Sequence, residues 1–85
     1  MVNQSATTLL LRKPAVLAAR GKSNSQLYRD IQSGLFTKPV EIGPNSSAWP
    51  SYEVEAINRA VIAGKSDEEI RKLVSELHLK RKEGA

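Results

Sequence analysis

The fold of this chain is decided by residues 14–34, which read PAVLAARGKSNSQLYRDIQSG. Pro14 suits a first helical position, where its missing N–H costs nothing, and Gly21 favours the end of that helix. Ser23 is a preferred N-terminal capping residue for a second helix, which Gly34 would end. Two short helices joined by a glycine-containing turn predict a helix-turn-helix, although a two-helix corner with no role in DNA binding shows the same pattern.

Apolar spacing assigns an inward side to each of these helices. The first helix is expected over residues 14–20, with Val16 and Leu17 facing the core. In the second helix, Leu27 and Ile31 are four residues apart and mark the buried stripe. The remaining side chains of the second helix are therefore expected to face away from the core.

A β-hairpin is predicted by residues 38–50, which read KPVEIGPNSSAWP. Val40 and Ile42 alternate with a polar residue, as in a strand, and residues 43–46 concentrate turn-forming residue types. A two-stranded hairpin is marginal by itself, so we expect it to pack on the helices with Trp49 as its anchor. The three leucines at 9–11 predict either a short strand or the lead-in to the first helix.

Two more helices are expected after the hairpin. The third covers about residues 52–63, with Ser51 as its cap and one apolar face formed by Val54, Ile57 and Val61. The fourth covers about residues 67–80 and begins at an S-x-x-E capping box, Ser66 to Glu69. Its apolar stripe comprises Ile70, Leu73, Val74 and Leu77. The basic cluster at residues 80–82 is interpreted as a solvated helix end.

Composition limits the classes of function. The 85 residues include no cysteine and one histidine, His78, which is expected to be a surface or packing residue. We therefore expect no disulfide, metal site, cofactor or small-molecule ligand, and no catalytic constellation. The chain starts without a basic region or long apolar run of the signal-peptide type, and nothing in it approaches the roughly 18 apolar residues of a membrane span.

The positive charge is concentrated in one part of the chain. Thirteen basic and nine acidic residues give a formal net charge of +4. Residues 1–50 contain six basic and two acidic side chains, whereas residues 51–85 contain seven of each. A basic half and a neutral half favour a phosphate-facing region attached to a structural one, with nucleic acid as the partner, although a generally soluble basic surface has the same charge distribution.

An ordered set of residues across positions 9–62 resembles the AlpA-type family of small prophage and genomic-island regulators. The residues that carry the resemblance are Leu11-Arg12, Val16, Gly21, Ser23, Ser25, Leu27-Tyr28-Arg29, Ile31, Gly34, Phe36, Pro39-Val40, Ile42-Gly43, Trp49 and Glu53-Val54. This family is related in fold to excisionases and to the DNA-binding domain of MerR proteins. The resemblance implies a winged helix-turn-helix, mainly α with a small β-hairpin, with about four helices and a two-stranded wing.

Three positions depart from the family pattern. The family usually has a proline after the Phe, often a basic residue in the wing turn, and often an aromatic residue on the third helix. This chain has Thr37, Asn45 and Ile57 at these positions. A neutral wing turn releases fewer counterions, so the wing is expected to contribute less to DNA affinity.

The chain is expected to divide into three parts. Residues 1–8 would form a flexible arm, residues 9–63 the DNA-binding domain, and residues 64–85 a C-terminal capping helix with a basic tail, packed on or next to that domain. The resemblance implies that the partner is double-stranded DNA, that the second helix enters its major groove, and that the hairpin acts as a wing on the neighbouring backbone or minor groove. It also implies a bacterial cytoplasmic, nucleoid-associated protein.

Ten side chains are the candidate DNA contacts. Lys22 and Ser23, with the free N–H groups at the start of the second helix, are expected at phosphates. Asn24, Gln26 and Arg29 are expected at base edges, with a phosphate contact equally open for Arg29. The other candidates are Ser25 on the same side of the helix, Tyr28, Lys38 at the start of the hairpin, and Asn45 and Ser46 in its turn.

The roles of Tyr28, of the wing-turn residues and of Arg12 each have more than one interpretation. Tyr28 is either a core aromatic residue with an exposed tip or a ring on the first helix whose hydroxyl reaches a phosphate, the role that the resemblance favours. Asn45 or Ser46 would hydrogen-bond a phosphate. Arg12 has an alternative structural role, bridging the first helix to the hairpin.

Three functions are compatible with these features. The first is a sequence-specific transcriptional regulator, and the second is an excisionase-like factor that bends DNA. The third is a protein-interaction adaptor that docks through the fourth helix, which would either cover the core or pair two subunits. Because a monomer with about four phosphate contacts binds DNA weakly, a homodimer or adjacent DNA-bound copies are further expectations.

Overall fold

The computed structural model describes residues 7–83, which form four helices and a small antiparallel sheet. The elements in chain order are β1 (Leu10–Leu11), α1 (Lys13–Arg20), α2 (Asn24–Ser33), β2 (Val40–Gly43), β3 (Ser46–Pro50), α3 (Ser51–Ile62) and α4 (Asp67–Glu83). The predicted class, a mainly helical winged fold, is confirmed. Most of the predicted N-terminal arm, residues 1–6, lies outside the described residues.

The helix-turn-helix is formed as its local signals predict. Gly21 ends α1 with a φ of 68°, and Gly34 ends α2 with a φ of 79°; glycine adopts this left-handed conformation without steric cost. At the start of α2 the Ser23 hydroxyl accepts a hydrogen bond from the Gln26 amide at 3.3 Å. Val16 of α1 and Leu27 of α2 are fully buried, which fixes the sides that these two helices turn inward.

The sheet contains the predicted hairpin and one more strand. Strands β2 and β3 pair antiparallel, and β1 pairs on the other side of β3, with Leu11 opposite Trp49. The leucine run is therefore a strand rather than a lead-in to α1. Its register is held where Ser51 N–H donates to the Leu9 carbonyl and Leu9 N–H donates to the Ser51 hydroxyl. This third strand supports a hairpin that would be marginal by itself.

Trp49 anchors the sheet to the helices, as the sequence predicts. Its ring is buried beside Phe36, with ring centroids 6.2 Å apart. The indole N–H donates to the Thr37 carbonyl at 2.9 Å, so the polar atom of this buried ring is satisfied. The same core continues from Val16 and Leu27 through α3 to α4.

Two expectations for α3 are wrong. Ser51 is the first residue of the helix rather than its cap, because its hydroxyl is used by Leu9 N–H and the capping position is taken by Pro50. Val54 and Ile57 are buried as predicted, but Val61 is 55% exposed. Val61 lies in the last turn of α3, at the rim of a groove shared with Ile70, so its neighbours cover only part of it.

The fourth helix is longer than predicted and covers the core of its own chain. The capping box forms in both directions, from Ser66 N–H to the Glu69 carboxylate and from Glu69 N–H to the Ser66 hydroxyl. The buried residues of the helix are Ile70, Val74 and Leu77. Because this stripe packs against α3, it is not available to pair two subunits. No helix within residues 7–83 is long and apolar enough to cross a membrane.

Candidate nucleic-acid interface

The outward side of α2 exposes the predicted base-contacting residues. Leu27 turns into the core, and Asn24, Ser25, Gln26 and Arg29 all remain exposed. The Arg29 side chain forms no hydrogen bond or ion pair with any residue of the described range 7–83. Its guanidinium group is therefore free to bind an external acceptor.

The start of α2 offers backbone donors next to these side chains. The first amides of an α-helix have no acceptor within the helix. The Ser23 hydroxyl satisfies the amide of Gln26, and the Ser23 carbonyl accepts from Leu27 N–H. The amides of Asn24 and Ser25 are left as donors, in the arrangement that binds phosphate at helix N-termini.

Tyr28 lies at the junction of α1 and α2. It is 50% exposed, so the core alternative for this ring is wrong. Its hydroxyl accepts a hydrogen bond from Lys13 Nζ at 3.0 Å, and the same ammonium group lies 5.0 Å from the ring centroid. The pair presents an ammonium group and a hydroxyl together at the surface.

A groove of about 320 Å³ connects this pair with the wing. Tyr28 of α2 and Asn45 of the wing turn, both candidate DNA contacts, line the same concavity. The lining residues are Arg12, Lys13, Pro14, Tyr28, Pro39, Asn45, Ser47 and Trp49, none of which is acidic. Arg12 and Lys13 were absent from the predicted contacts, although the basic pair immediately before Pro14 was the signal available in the sequence.

The wing turn is formed by Pro44 and Asn45. Asn45 has a φ of 58°, and a proline followed by a residue of positive φ is the combination of a type II turn. The Asn45 side chain is exposed at the tip. The Ser46 hydroxyl donates to the Pro44 carbonyl at 3.4 Å, so its hydrogen is directed to the turn itself. Asn45 is therefore the freer polar group of the two.

Lys22 is partly neutralised by the protein itself. Its ammonium group lies 2.9 Å from Asp30 Oδ2, which also accepts from Arg20 Nη2 at 2.8 Å. Burial of Asp30 opposes ionisation, but the hydrogen bonds and charges of Lys22 and Arg20 outweigh it and lower the pKa of the carboxyl. The structure thus places Lys22 beside α2 but in an intramolecular ion pair that the sequence did not indicate.

Lys38 has its backbone, but not its side chain, tied to α4. Its N–H donates to His78 Nε2 at 3.1 Å, and its carbonyl accepts from Arg81 at 2.6 Å. Burial and the charge of Arg81 lower the pKa of His78, which favours the neutral ring that this acceptor role requires. The side chain of Lys38 stays exposed at the base of the wing.

The interpretation of residues 80–82 as a solvated cluster is wrong for Arg81. Its guanidinium group donates to both carboxylate oxygens of Glu53, each at 2.7 Å. Glu53 is completely buried, so Arg81 neutralises a carboxylate that water does not reach. These two residues are 28 positions apart, and no local pattern in the sequence pairs them.

The helix-turn-helix, the wing and the acid-free groove between them define the class of a small winged helix-turn-helix protein. The family model described as Prophage CP4-57 regulatory protein (AlpA) matches residues 9–57, more than half of the chain. The chain therefore belongs to the AlpA family, which confirms the resemblance. The match ends within α3, so α4 lies beyond it. Comparisons with curated proteins and with solved structures give no match.

Proposed function

We propose that this protein is a sequence-specific DNA-binding transcriptional regulator, with α2 in the major groove and the wing on the neighbouring backbone. The observation that carries the proposal is the continuous polar and basic surface from α2 to the wing turn. It joins the exposed side of α2 to a groove that contains Arg12 and Lys13 and has no acidic lining residue. AlpA family membership supports the same function.

The side chains of α2 supply the sequence readout in this proposal. Arg29 can donate two hydrogen bonds to guanine, and Asn24 or Gln26 can pair with adenine in the major groove. A phosphate is the alternative partner for Arg29. Ser25 lies on the same exposed side, next to the first amides of the helix.

Phosphate contacts surround this readout and set the register of α2 on the duplex. The amides at the start of α2, with Ser23 as their cap, bind one phosphate. Lys13 and Tyr28 bind a second from the groove. Further contacts come from Lys22 beside the turn and from Lys38, Asn45 and Ser46 on the wing. Of these, Lys22 keeps its ion pair with Asp30 and contributes least.

The test is fluorescence anisotropy with a labelled duplex from the gene's own upstream region, against a scrambled duplex, over a salt series. The proposal predicts at least about tenfold tighter binding of the native duplex, a difference of about 1.4 kcal/mol. It also predicts that log affinity falls linearly with log salt, by about 0.9 per phosphate contact. Absence of binding at low salt would contradict DNA binding altogether.

Equal affinity for the two duplexes would contradict sequence-specific regulation from this promoter. It would instead favour the excisionase-like role, in which the same surface holds DNA and bends it. Measuring the bend angle on the attachment site would then separate the two functions, because an architectural factor deforms the duplex that it binds.

A further inference from the structure

The outer side of α3 carries a stripe of exposed residues that no part of the DNA-binding surface uses. Tyr52, Glu55, Arg59 and Ile62 follow one another at intervals of three, four and three residues, which places them along one side of the helix. Ile62 is 84% exposed, the highest value among the large apolar side chains of the described residues. We call these four residues the α3 stripe.

Apolar surface continues from the α3 stripe onto the first strand. Leu9 is more than half exposed and is hydrogen-bonded to Ser51 at the start of α3. A groove of about 450 Å³ runs beside the stripe, between Ile62 and Leu11. Leu9, Tyr52 and Ile62 are three of the eight exposed large apolar side chains in residues 7–83, and clustering of this kind marks interaction surfaces.

We propose that the α3 stripe binds a second copy of this chain, with the two α3 helices antiparallel about a two-fold axis that crosses the stripe midway between Glu55 and Arg59. In this register Glu55 lies opposite Arg59 of the second copy, and Tyr52 lies opposite Ile62 of the second copy. The two-fold axis forms each contact twice. The stripe is thus complementary to itself in both charge and apolar character.

Charge complementarity selects this partner and this orientation. A parallel pairing would place Glu55 against Glu55, whereas the antiparallel one gives two intermolecular ion pairs. Within one copy, Glu55 and Arg59 form an ion pair of 3.2 Å between side chains that are both largely exposed. An exposed pair of this kind contributes little to stability, so both side chains can turn to a partner at small cost.

The proposed dimer is compatible with DNA binding but does not depend on it. The α3 stripe shares no residue with the groove between α2 and the wing. Arg59 and Ile62 also lie beyond residues 9–57, so the family match does not account for them. Two copies joined in this way would carry two α2 helices, and the second contact with DNA would then become intramolecular.

The charges of the α3 stripe allow a test in which variants rescue one another. Glu55→Arg makes the stripe wholly basic, and Arg59→Glu makes it wholly acidic. Sedimentation equilibrium over a concentration series without DNA should show a monomer–dimer equilibrium for the unmodified chain. Each variant should self-associate at least about tenfold more weakly. An equimolar mixture of the two should recover the dimer.

Two controls keep the outcome decisive. Thermal melting of each variant verifies that it is folded, since both substitutions are at exposed positions. The same measurement on Lys72→Glu, an exposed position on α4, separates a specific charge effect from a change in net charge. A monomeric unmodified chain at the highest concentration would overturn the proposal, as would variants that dimerise like the unmodified chain.

The absence of cysteine provides a second readout of the register. Chains that carry Glu55→Cys and chains that carry Arg59→Cys are mixed and oxidised. The antiparallel register predicts that the mixed disulfide dominates, because only opposed positions approach within the Cα separation that a disulfide requires. Equal yields of all three disulfides would overturn the register. Chains with Lys72→Cys give the background of random collision.

Discussion

Two groups of basic side chains in residues 7–83 contrast with each other, one around α2 and the groove beside the wing and one paired with acids between helices. Arg12 and Arg29 are exposed and Lys13 is partly exposed around α2 and the groove, and none of them pairs with an acid among residues 7–83. Arg20 and Arg81 instead form ion pairs with Asp30 and Glu53 and hold helices together. The two groups look alike in the sequence, but only the second forms ion pairs between helices.

A count of charges by region does not show which basic side chains are paired with acids. Of the six basic residues in positions 1–50, Arg20 and Lys22 share Asp30, and the other four lie around α2 and the wing. The basic half of the chain is therefore smaller in effect than its composition suggests, but it is concentrated on one surface. Four predictions test the contrast, beginning with the largest effect.

Replacement of Arg81 by alanine should give the largest loss of stability. It leaves the fully buried carboxylate of Glu53 without a partner, which costs about 3–5 kcal/mol. Urea denaturation followed by circular dichroism at pH 7 measures this loss. The matched control is Lys82→Ala at an exposed position, which should stay within about 0.5 kcal/mol of the unmodified chain. Equal stability of the two variants would contradict the structural role of Arg81.

Replacement of Asp30 by asparagine should have a smaller effect that depends on pH. The variant removes the negative charge that Arg20 and Lys22 share and leaves one amide oxygen as acceptor, so we expect a loss of about 2 kcal/mol at pH 7. Because the pKa of Asp30 is lowered in the fold, its contribution is fully present above the ordinary value of 3.8 and disappears as the pH falls through the lowered value. The difference in the free energy of unfolding between the two chains should therefore disappear in strong acid. Denaturation curves measured from pH 7 to pH 2 test this, and a difference that stays constant over that range would contradict it.

Replacement of Arg29 by alanine should leave stability unchanged and weaken DNA binding. The loss of one base or phosphate contact is expected to reduce specific affinity by about 1–3 kcal/mol. Anisotropy with the upstream duplex measures the affinity, and Lys72→Ala on α4 is the control for net charge. Unchanged affinity of the folded Arg29 variant would remove this residue from the interface.

The smallest expected effect is a difference in the salt dependence of DNA binding between variants of Lys13 and of Lys22. Lys13→Ala should reduce the salt slope of DNA binding by about 0.9, the value of one phosphate contact. Lys22→Ala should reduce it less, because this ammonium group already pairs with Asp30. The reverse order would show that Lys22 leaves its ion pair when DNA binds.

The parts of the fold that depend on local signals were predictable, and those that depend on distant contacts were not. Gly21, Ser23 and Gly34 act within a few residues of where they stand, so the helix-turn-helix followed from the sequence. The strand at Leu10–Leu11 is too short to show alternation, and only its pairing with β3 defines it. In the same way, the pair of Glu53 and Arg81 requires α3 and α4 to be packed together.

The candidate site likewise has a part that was predictable from local sequence and a part that was not. The spacing of Leu27 and Ile31, four residues apart, predicts which α2 residues face outward, and this part of the prediction needed no tertiary information. The groove is different, because Arg12 and Lys13 join Tyr28 and Asn45 only when α1 packs beside the wing. The basic pair before Pro14 is visible in the sequence, but only this packing brings it into the groove.

The most direct test of the central claim is a map of backbone amide shifts in the NMR spectrum as the upstream duplex is added. The surface of α2 and the wing should respond, with the largest changes at residues 23–29, at Lys13 and at Asn45. Residues 67–83 of α4 should change little, because their cations are paired or lie away from the groove. Largest changes in α4, with α2 unaffected, would contradict the assignment of DNA binding to the surface of α2 and the wing.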